Sequence, residues 1–485
     1  MVQPLAVLNV LSVVIMVFAL TMAAPLGVSF ALGDAAQFAY GEAIVITAAV
    51  GMLLRLAMKG RRRELQVRDG FLVVALGWTL LPAFAALPFM FYLPGLSFTD
   101  AYFEAVAGLT TTGASVLSNL DQLPPSINFW RGQLQWMGGM GIIVLAVAIL
   151  PLLGVGGSQI LKAETPGPMK DTKLTPRITE TAKGLWLVYA LITAACVLGL
   201  KWAGMSWFDA VMHAFTTMSL GGFSSHDASY GYWNSPAIES VTIIFMVLAG
   251  MNFASHFLAL RRRSLLVYAG DPEVGAYLAV LALSVLGIAT FLWVQGVYPE
   301  FLTALRYAAF NVVSIATTTG YASTDYSLWP MFAPMWMLFL CCFATCSGST
   351  GGGIKMIRAE IMVRQSLREM VRILHPHAYV PVKLAGRPVE NNIVFAILAF
   401  MLVYGASVIA TSMLLAVSGL DIITAVSAAI ASINNTGPGL NQVGPAGNFA
   451  GLTDLQTWGL AFAMLLGRLE LITLLIVLTP AFWRR

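Results

Sequence analysis

Residues 305–322 read LRYAAFNVVSIATTTGYA, and three other stretches of the chain follow the same plan. They are FTDAYFEAVAGLTTTGAS at 98–115, WFDAVMHAFTTMSLGGFS at 207–224 and IITAVSAAIASINNTGPG at 422–439. The four align without gaps on Gly113, Gly222, Gly320 and Gly437, and Ala101, Ala210, Ala308 and Ala425 also coincide. The glycines stand 109, 98 and 117 residues apart. Each stretch begins with ~12–15 apolar residues, too few to cross a ~30 Å hydrocarbon core as a helix. Each then ends in an uncharged polar turn. Longer apolar runs lie on both sides, so each unit reads as one span, one short helix, one Gly turn and one span.

Around these repeats, the 485-residue chain is 58% hydrophobic and only 10% charged. A soluble domain carries roughly 25% charged residues. The apolar content also excludes disorder, and a net charge of +4 leaves no electrostatic footprint for nucleic acid. The composition therefore predicts an all-α polytopic membrane protein. Spans are expected near 5–24, 37–58, 71–94, 132–155, 184–203, 237–260, 274–296, 331–346, 391–417 and 456–482. The first carries no Lys or Arg before it and reads as a retained membrane segment rather than a cleaved signal. Two leading helices fill 1–70. The units then occupy 71–182, 183–273, 274–390 and 391–485.

Basic residues set the orientation. Of the 27 Lys and Arg, 23 fall in Arg55–Arg68, Lys162–Lys183, Arg261–Arg263, Lys355–Arg387 and the terminal Arg484 and Arg485. All share one face if each short helix enters and returns, whereas crossing helices would alternate them. The positive-inside rule makes that face cytoplasmic, with both termini on it. The basic loops suit anionic lipid headgroups, and they also suit a docking partner. Ten acids, Asp100, Glu104, Asp121, Asp209, Asp227, Glu239, Glu300, Asp325, Asp421 and Asp454, fall on the other side. They read either as a cation-concentrating vestibule or as ordinary loop charge, and Asp100, Glu104 and Asp209 also suit helix N-termini. His213 occupies the repeat position of Glu104 and Asn311 and reads as packing. The cysteines Cys196, Cys341, Cys342 and Cys346 lie in apolar stretches and read as packed thiols.

A short helix that stops at membrane depth leaves extended backbone there, tolerated only where it is buried in protein or lines water. Four such turns can ring a pore, and their carbonyls can replace a cation's hydration shell. The turns are Thr110, Thr111, Thr112 and Gly113; Ser219, Leu220, Gly221 and Gly222; Thr317, Thr318, Thr319 and Gly320; Asn434, Asn435, Thr436 and Gly437. None is charged, which suits K+ or Na+ better than a divalent ion. The plainer reading is four polar turns that cap packing helices. No HExxH, GxSxG or paired-Asp motif stands in the spans, so no enzyme is expected.

The motifs TTTGAS (110–115), SLGGFS (219–224), TTTGYAS (317–323) and NNTGPG (434–439) resemble the four selectivity-filter loops of the Trk/Ktr/HKT superfamily of K+ transporters. The leading helices and the length resemble its bacterial TrkH branch. The resemblance covers essentially the whole chain. It implies four K+-channel-like M1–P–M2 units around a pseudo-fourfold pore, with K+ as the transported ion and no organic cofactor. It also implies uptake across a bacterial inner membrane, a homodimer, and a cytosolic TrkA-type nucleotide-binding regulatory subunit.

Two further features read as gating elements. Residues 347–353, Ser347, Gly348, Ser349, Thr350, Gly351, Gly352 and Gly353, interrupt the closing span of the third unit with a composition that a packed helix avoids. They read as a helix end with a cytoplasmic loop, or as a loop at membrane depth that can block the pore. The resemblance favours the second. Arg468 is expected mid-way along the last span, where a charge costs at least ~2.5 kcal/mol unless it meets water or a partner. Glu470, two positions on, is expected to face away from it. A snorkelling Arg468 is the plainer alternative, and the resemblance supports a pore-facing one. An alternating-access carrier coupled to H+ or Na+ remains the competing mechanism, although carriers more often show paired inverted halves and an intramembrane acid.

Overall fold

The computed structural model describes residues 4–58, 67–141, 178–384 and 386–484. Its helices are α1 Pro4–Thr21, α2 Ala23–Leu32, α3 Gln37–Ala57, α4 Val67–Ala85, α5 Leu87–Tyr92, α6 Phe98–Leu109 and α7 Pro125–Met140. They continue as α8 Ile178–Ala203, α9 Trp207–Met218, α10 Pro236–Ala249, α11 Phe253–Arg262, α12 Leu266–Ala269, α13 Val274–Val294 and α14 Phe301–Ala316. The remainder are α15 Phe332–Cys341, α16 Met356–Leu374, α17 Asn391–Val417, α18 Ile422–Ile433, α19 Asp454–Arg468, α20 Ile472–Leu478 and α21 Pro480–Trp483. One small hairpin pairs Lys383–Leu384 with Arg387–Pro388.

Among the described residues, six helical segments are long and apolar enough to cross a bilayer, or up to eight if each sharply bent pair is one span. This is an all-α polytopic membrane protein. The first apolar segment runs on through α2 to Leu32, longer than the sequence suggested. Two expected spans are not continuous. The 237–260 segment bends by 95° between α10 and α11, and the 456–482 segment bends by 115° between α19 and α20. At the first break, the Asn252 side chain caps α11 by accepting from Ala254 N at 2.9 Å, so a new helix starts there. At the second, Glu470 and Leu471 take left-handed backbone, with φ of 53° and 52°. A hydropathy average misses both events, because it smooths Asn252, Arg468 and Glu470 into their apolar neighbours. Lys59, Arg61, Arg62, Arg63, Lys162, Lys170, Lys173, Arg177, Arg485 and the far half of the 132–155 segment lie outside the described residues.

The four short helices α6, α9, α14 and α18 are built alike. Ser97 and Ser206 cap α6 and α9, accepting from Asp100 N and Asp209 N at 3.1 and 3.0 Å. Asp421 caps α18 through Thr424 N at 3.0 Å. These caps satisfy amide groups that a helix starting at the membrane surface would leave open. Each short helix packs against the helix before it, the helix after it, and the closing helix of the preceding unit. For α6 these are α4, α7 and α19; for α9 they are α8, α10 and α7. For α14 they are α13, α15 and α10; for α18 they are α17, α19 and α15. The contact of α6 with α19 closes the circle between the last unit and the first.

Candidate functional site

Each short helix ends in the same turn. Thr111, Leu220, Thr318 and Asn435 all adopt left-handed backbone, with φ of 55°, 55°, 62° and 54°. Non-glycine residues hold this conformation at a cost of order 1–3 kcal/mol, so the surrounding contacts must impose it. One residue on, the amides fold back onto the helix: Thr112 N donates to Ala107 O, Gly221 N to Thr216 O, Thr319 N to Ser314 O and Thr436 N to Ala431 O, all at 2.8–2.9 Å. The helix thus consumes the turn's N–H groups and leaves carbonyl oxygens as its surplus polar atoms.

The closing glycines follow at φ of 80°, 79°, 87° and 92°. Their missing side chains define a ring. A Cβ on Gly113 would stand 2.0 Å from Gly221 O, one on Gly222 2.0 Å from Thr319 O, one on Gly320 2.1 Å from Thr436 O, and one on Gly437 2.6 Å from Thr112 O. The turns therefore abut in cyclic order, each pressed against the carbonyl of the next, and only glycine fits at each joint. A cavity of about 420 Å³ opens beside the ring, with Gly113, Gly222, Gly320 and Pro438 among its lining residues.

The polar run 347–353 lies against this ring. Gly352 N donates to Thr318 Oγ1 at 2.9 Å, and a Cβ on Gly352 would stand 1.9 Å from Asn434 O. Thr350 Oγ1 donates to Met218 O at 3.0 Å. Phe253 N donates to Gly348 O at 3.0 Å, and Ser347 N to Glu273 Oε2 at 2.7 Å. Arg468 reaches the same loop: Nη1 donates to Thr350 O at 3.0 Å, and Nη2 to Gly138 O and Gly139 O at 2.5 and 3.1 Å. Its guanidinium also sits 5.9 Å from the Trp78 ring centroid. The loop thus crosses beneath the third and fourth turns, bonded to the second and third units directly and linked through Arg468 to the fourth and first.

The comparisons with known proteins carry this geometry to a family. A family profile described as "TrkH: Cation transport protein" matches residues 36–484. The chain belongs to the TrkH family of cation transport proteins. It is 44% identical over 480 residues to the Trk system potassium uptake protein TrkH of Salmonella typhimurium, covering 99% of both chains. It is 45% identical over 481 residues to the TrkH protein of Halomonas elongata, again covering 99% of both. The crystal structure of the potassium transporter TrkH from Vibrio parahaemolyticus superposes with a TM-score of 0.90 at 40% identity, covering 99% of this chain and 100% of that one. The relatives are transporters, not enzymes.

Several residues of this TrkH-family chain sit differently from their expected places. Arg468 is not mid-helix: it is the last residue of α19, at the break. Glu470 pairs instead with Arg358 at 2.7 Å, whose guanidinium lies 4.2 Å from the Phe400 ring centroid. Lys355, counted by sequence with the solvated basic loops, is buried and donates from Nζ to Gly351 O, inside the loop region. Glu104 and Glu239, counted with the vestibule acids, are buried and paired, Glu104 with Arg131 at 2.8 Å and Glu239 with Arg306 at 2.6 Å. They add nothing to an outer negative field. His213 is buried and bonds Ser224 Oγ at 3.0 Å, flanking the second turn. Cys196, Cys341 and Cys346 are buried free thiols, and Cys342 is half-buried. Among the described residues, no group of three or more His, Cys, Asp or Glu is arranged to hold a metal ion.

Sequence reading missed His226. It bonds Asp121 through Nδ1, approaches Asp209 through Nε2 at 3.4 Å, and stacks on Tyr232 with centroids 3.6 Å apart. It lies just past the second turn, in SSHD after SLGGF, with no periodicity to mark it. Partial burial draws its pKa down, but the hydrogen bonds to Asp209 and Asp121 outweigh this and hold it above 6.5. Asp121 is desolvated too, yet the His226 hydrogen bond keeps its carboxyl below 3.8.

Proposed function

We propose that this chain is a gated K+ conduit for uptake across a bacterial inner membrane, and that the four glycine turns are its filter. The observation that carries the reading is the cyclic abutment of Gly113, Gly222, Gly320 and Gly437 on their neighbours' carbonyls. Thr110–Gly113, Ser219–Gly222, Thr317–Gly320 and Asn434–Gly437 then supply carbonyl and hydroxyl oxygens to a desolvated monovalent cation. The C-terminal ends of α6, α9, α14 and α18 face the same centre and favour positive charge. K+ as the ion follows the names of the relatives, each a potassium uptake protein.

Residues Ser347–Gly353 act as the gate in this reading, and Arg468 as its latch. The loop closes the path beneath the filter while its carbonyls are held by Arg468, and clears it when those bonds break. A fixed positive charge also opposes a cation passing at that depth. The arginines at the end of α11, Arg261–Arg263, and those of α16 give a basic cytoplasmic face. That face would receive a TrkA-type nucleotide-binding subunit, and the chain would work as a homodimer. A fourfold arrangement of like units around one axis favours a conduit over a carrier.

Growth rescue of a K+-uptake-deficient strain at limiting K+, with and without a cytosolic regulatory subunit, tests the function. Rescue by K+ that depends on the subunit is expected, and no rescue overturns it. Purified protein in a planar bilayer separates the mechanisms. Unitary currents support the conduit, and turnover too slow for a single-molecule current supports alternating access.

A further inference from the structure

Behind the first two turns lies a buried network that the filter itself does not require. Arg131, on α7, is 1% exposed and Glu104, on α6, is fully buried. Arg131 Nε donates to Glu104 Oε1 at 2.8 Å, and Nη2 to Ser115 Oγ at 3.2 Å. Nη1 crosses into the second unit and donates to Ser224 O at 2.9 Å. The guanidinium lies 4.3 Å from the centroid of the Phe223 ring. Glu104 in turn accepts from Ser115 Oγ and Val116 N, both at 3.0 Å. Gln135 is one helical turn further along α7, on the same face. It donates from Nε2 to Gly221 O at 2.7 Å and accepts from Phe223 N at 3.1 Å. One helix of the first unit therefore grips the second turn on both sides of Gly222.

The third and fourth units hold the same backbone position with neutral groups. Asn311 Oδ1 accepts from Ser323 N at 3.2 Å, and Ser427 Oγ from Leu440 N at 2.9 Å. Val116, Ser323 and Leu440 each stand three residues past the ring glycine, so the tie is a repeated feature. Among these three ties, the one in the first unit is made by a charged group, Glu104, paired with Arg131. A buried pair of this kind rarely adds net stability, because desolvation offsets the attraction. Its directional bonds do fix geometry.

We propose that Arg131, held by Glu104 and working with Gln135, is a positioning residue that sets cation discrimination. It does so by locking the outer flanks of the first and second turns at a fixed carbonyl spacing. Discrimination between two ions of the same charge depends on how far the ring can contract around the smaller one. A guanidinium bonded to both flanks resists that contraction without touching the ion. This inference rests on the reading of the glycine turns as the filter.

The test is the K+/Na+ permeability ratio of purified protein in bilayers, from the reversal potential under bi-ionic conditions. Arg131→Met should lower the ratio by roughly a factor of 2 to 10, the scale of one net hydrogen bond. Arg131→Lys, which keeps the charge but not the fork, should recover part of it. Gln135→Leu removes two of the bonds without stranding a buried charge, and should lower the ratio in the same direction if Arg131→Met does not fold. Arg306→Met breaks a partly exposed ion pair at the outer start of α14, away from the filter turns, and should leave the ratio unchanged. Gly113→Ser probes the filter reading separately. If Gly113→Ser shifts the ratio while folded Arg131→Met and Gln135→Leu do not, the positioning role fails and the filter stands. If none of the three shifts it, the filter reading fails. Misfolding of both Arg131→Met and Gln135→Leu would assign the network to folding and overturn the proposal.

Discussion

Arg468 Nη1 donates to the carbonyl of Thr350 at 3.0 Å, joining the end of α19 to the loop under the ring across 118 positions of sequence. The same side chain bonds Gly138 O and Gly139 O of the first unit. Arginine can do this because its planar fork presents several donors at once. The bond joins a helix terminus to a glycine-rich loop that is also tied by Ser347 N to Glu273 and by the buried Lys355.

Arg468→Ala should raise basal K+ flux. Hydrogen bonds from a charged donor are worth ~1.5–3 kcal/mol each, so losing them shifts the loop toward its displaced position by roughly tenfold or more. Stopped-flow Rb+ uptake into proteoliposomes is a suitable measurement. Unchanged flux, with an unchanged response to the regulatory subunit, removes Arg468 from the mechanism.

Gly352→Ala should also raise flux, by a different route. Its Cβ would stand 1.9 Å from Asn434 O, a distance that forces the loop away from the fourth turn. Protein with normal yield and lowered flux would contradict this, because it would show that the loop supports conduction.

Gly222→Ala should act in the opposite sense and lower flux by about tenfold or more, with the left-handed backbone alone costing ~1–2 kcal/mol. The added Cβ would also stand 2.0 Å from Thr319 O. The same uptake assay applies, and wild-type flux in the folded variant would exclude the ring as the conduction path.

Selectivity for K+ over Na+ should be real but modest. Each unit contributes one short turn rather than a long carbonyl ladder, and Pro438 follows the fourth. A bi-ionic permeability ratio on the order of hundreds would contradict this expectation.

His226 should make stability of the outer face depend on pH. Its folded pKa lies above 6.5, so its contribution is complete below that unfolded value and is lost as pH rises through the folded one. Asp121 has a folded pKa below 3.8, so its contribution is present above that value and fades as pH falls through the folded one. The clasp therefore works between these limits, and His226→Asn should flatten the alkaline side of a thermal-stability profile. An unchanged profile would remove His226 from it.

The glycine turns and the all-helical membrane class were legible because they rest on local physics. Apolar length reports burial in lipid, and a repeated Gly turn reports a repeated backbone shape. The polar loop 347–353 was visible for the same reason, since four glycines in seven residues do not suit a packed helix. Its partners were not. Nothing near Arg468 names Thr350 or Gly138, and the charges of Arg468 and Glu470 do not by themselves announce a helix break. Glu104 and Glu239 were read as outer charges because a sequence shows sign but not burial. Lys355 was counted with the cytoplasmic loops because it is the first charge after the glycine-rich run.

The sequence by itself determined that this chain spans a membrane, repeats one motif four times and turns on glycine at each repeat. Those are consequences of side-chain transfer energy and backbone sterics, both local quantities. Only the tertiary structure decided that the turns close in cyclic order, that the loop lies beneath two of them, and which charges are paired. Pairing depends on groups far apart in sequence meeting where water is excluded, so their energies follow from position in the fold and not from the order of residues.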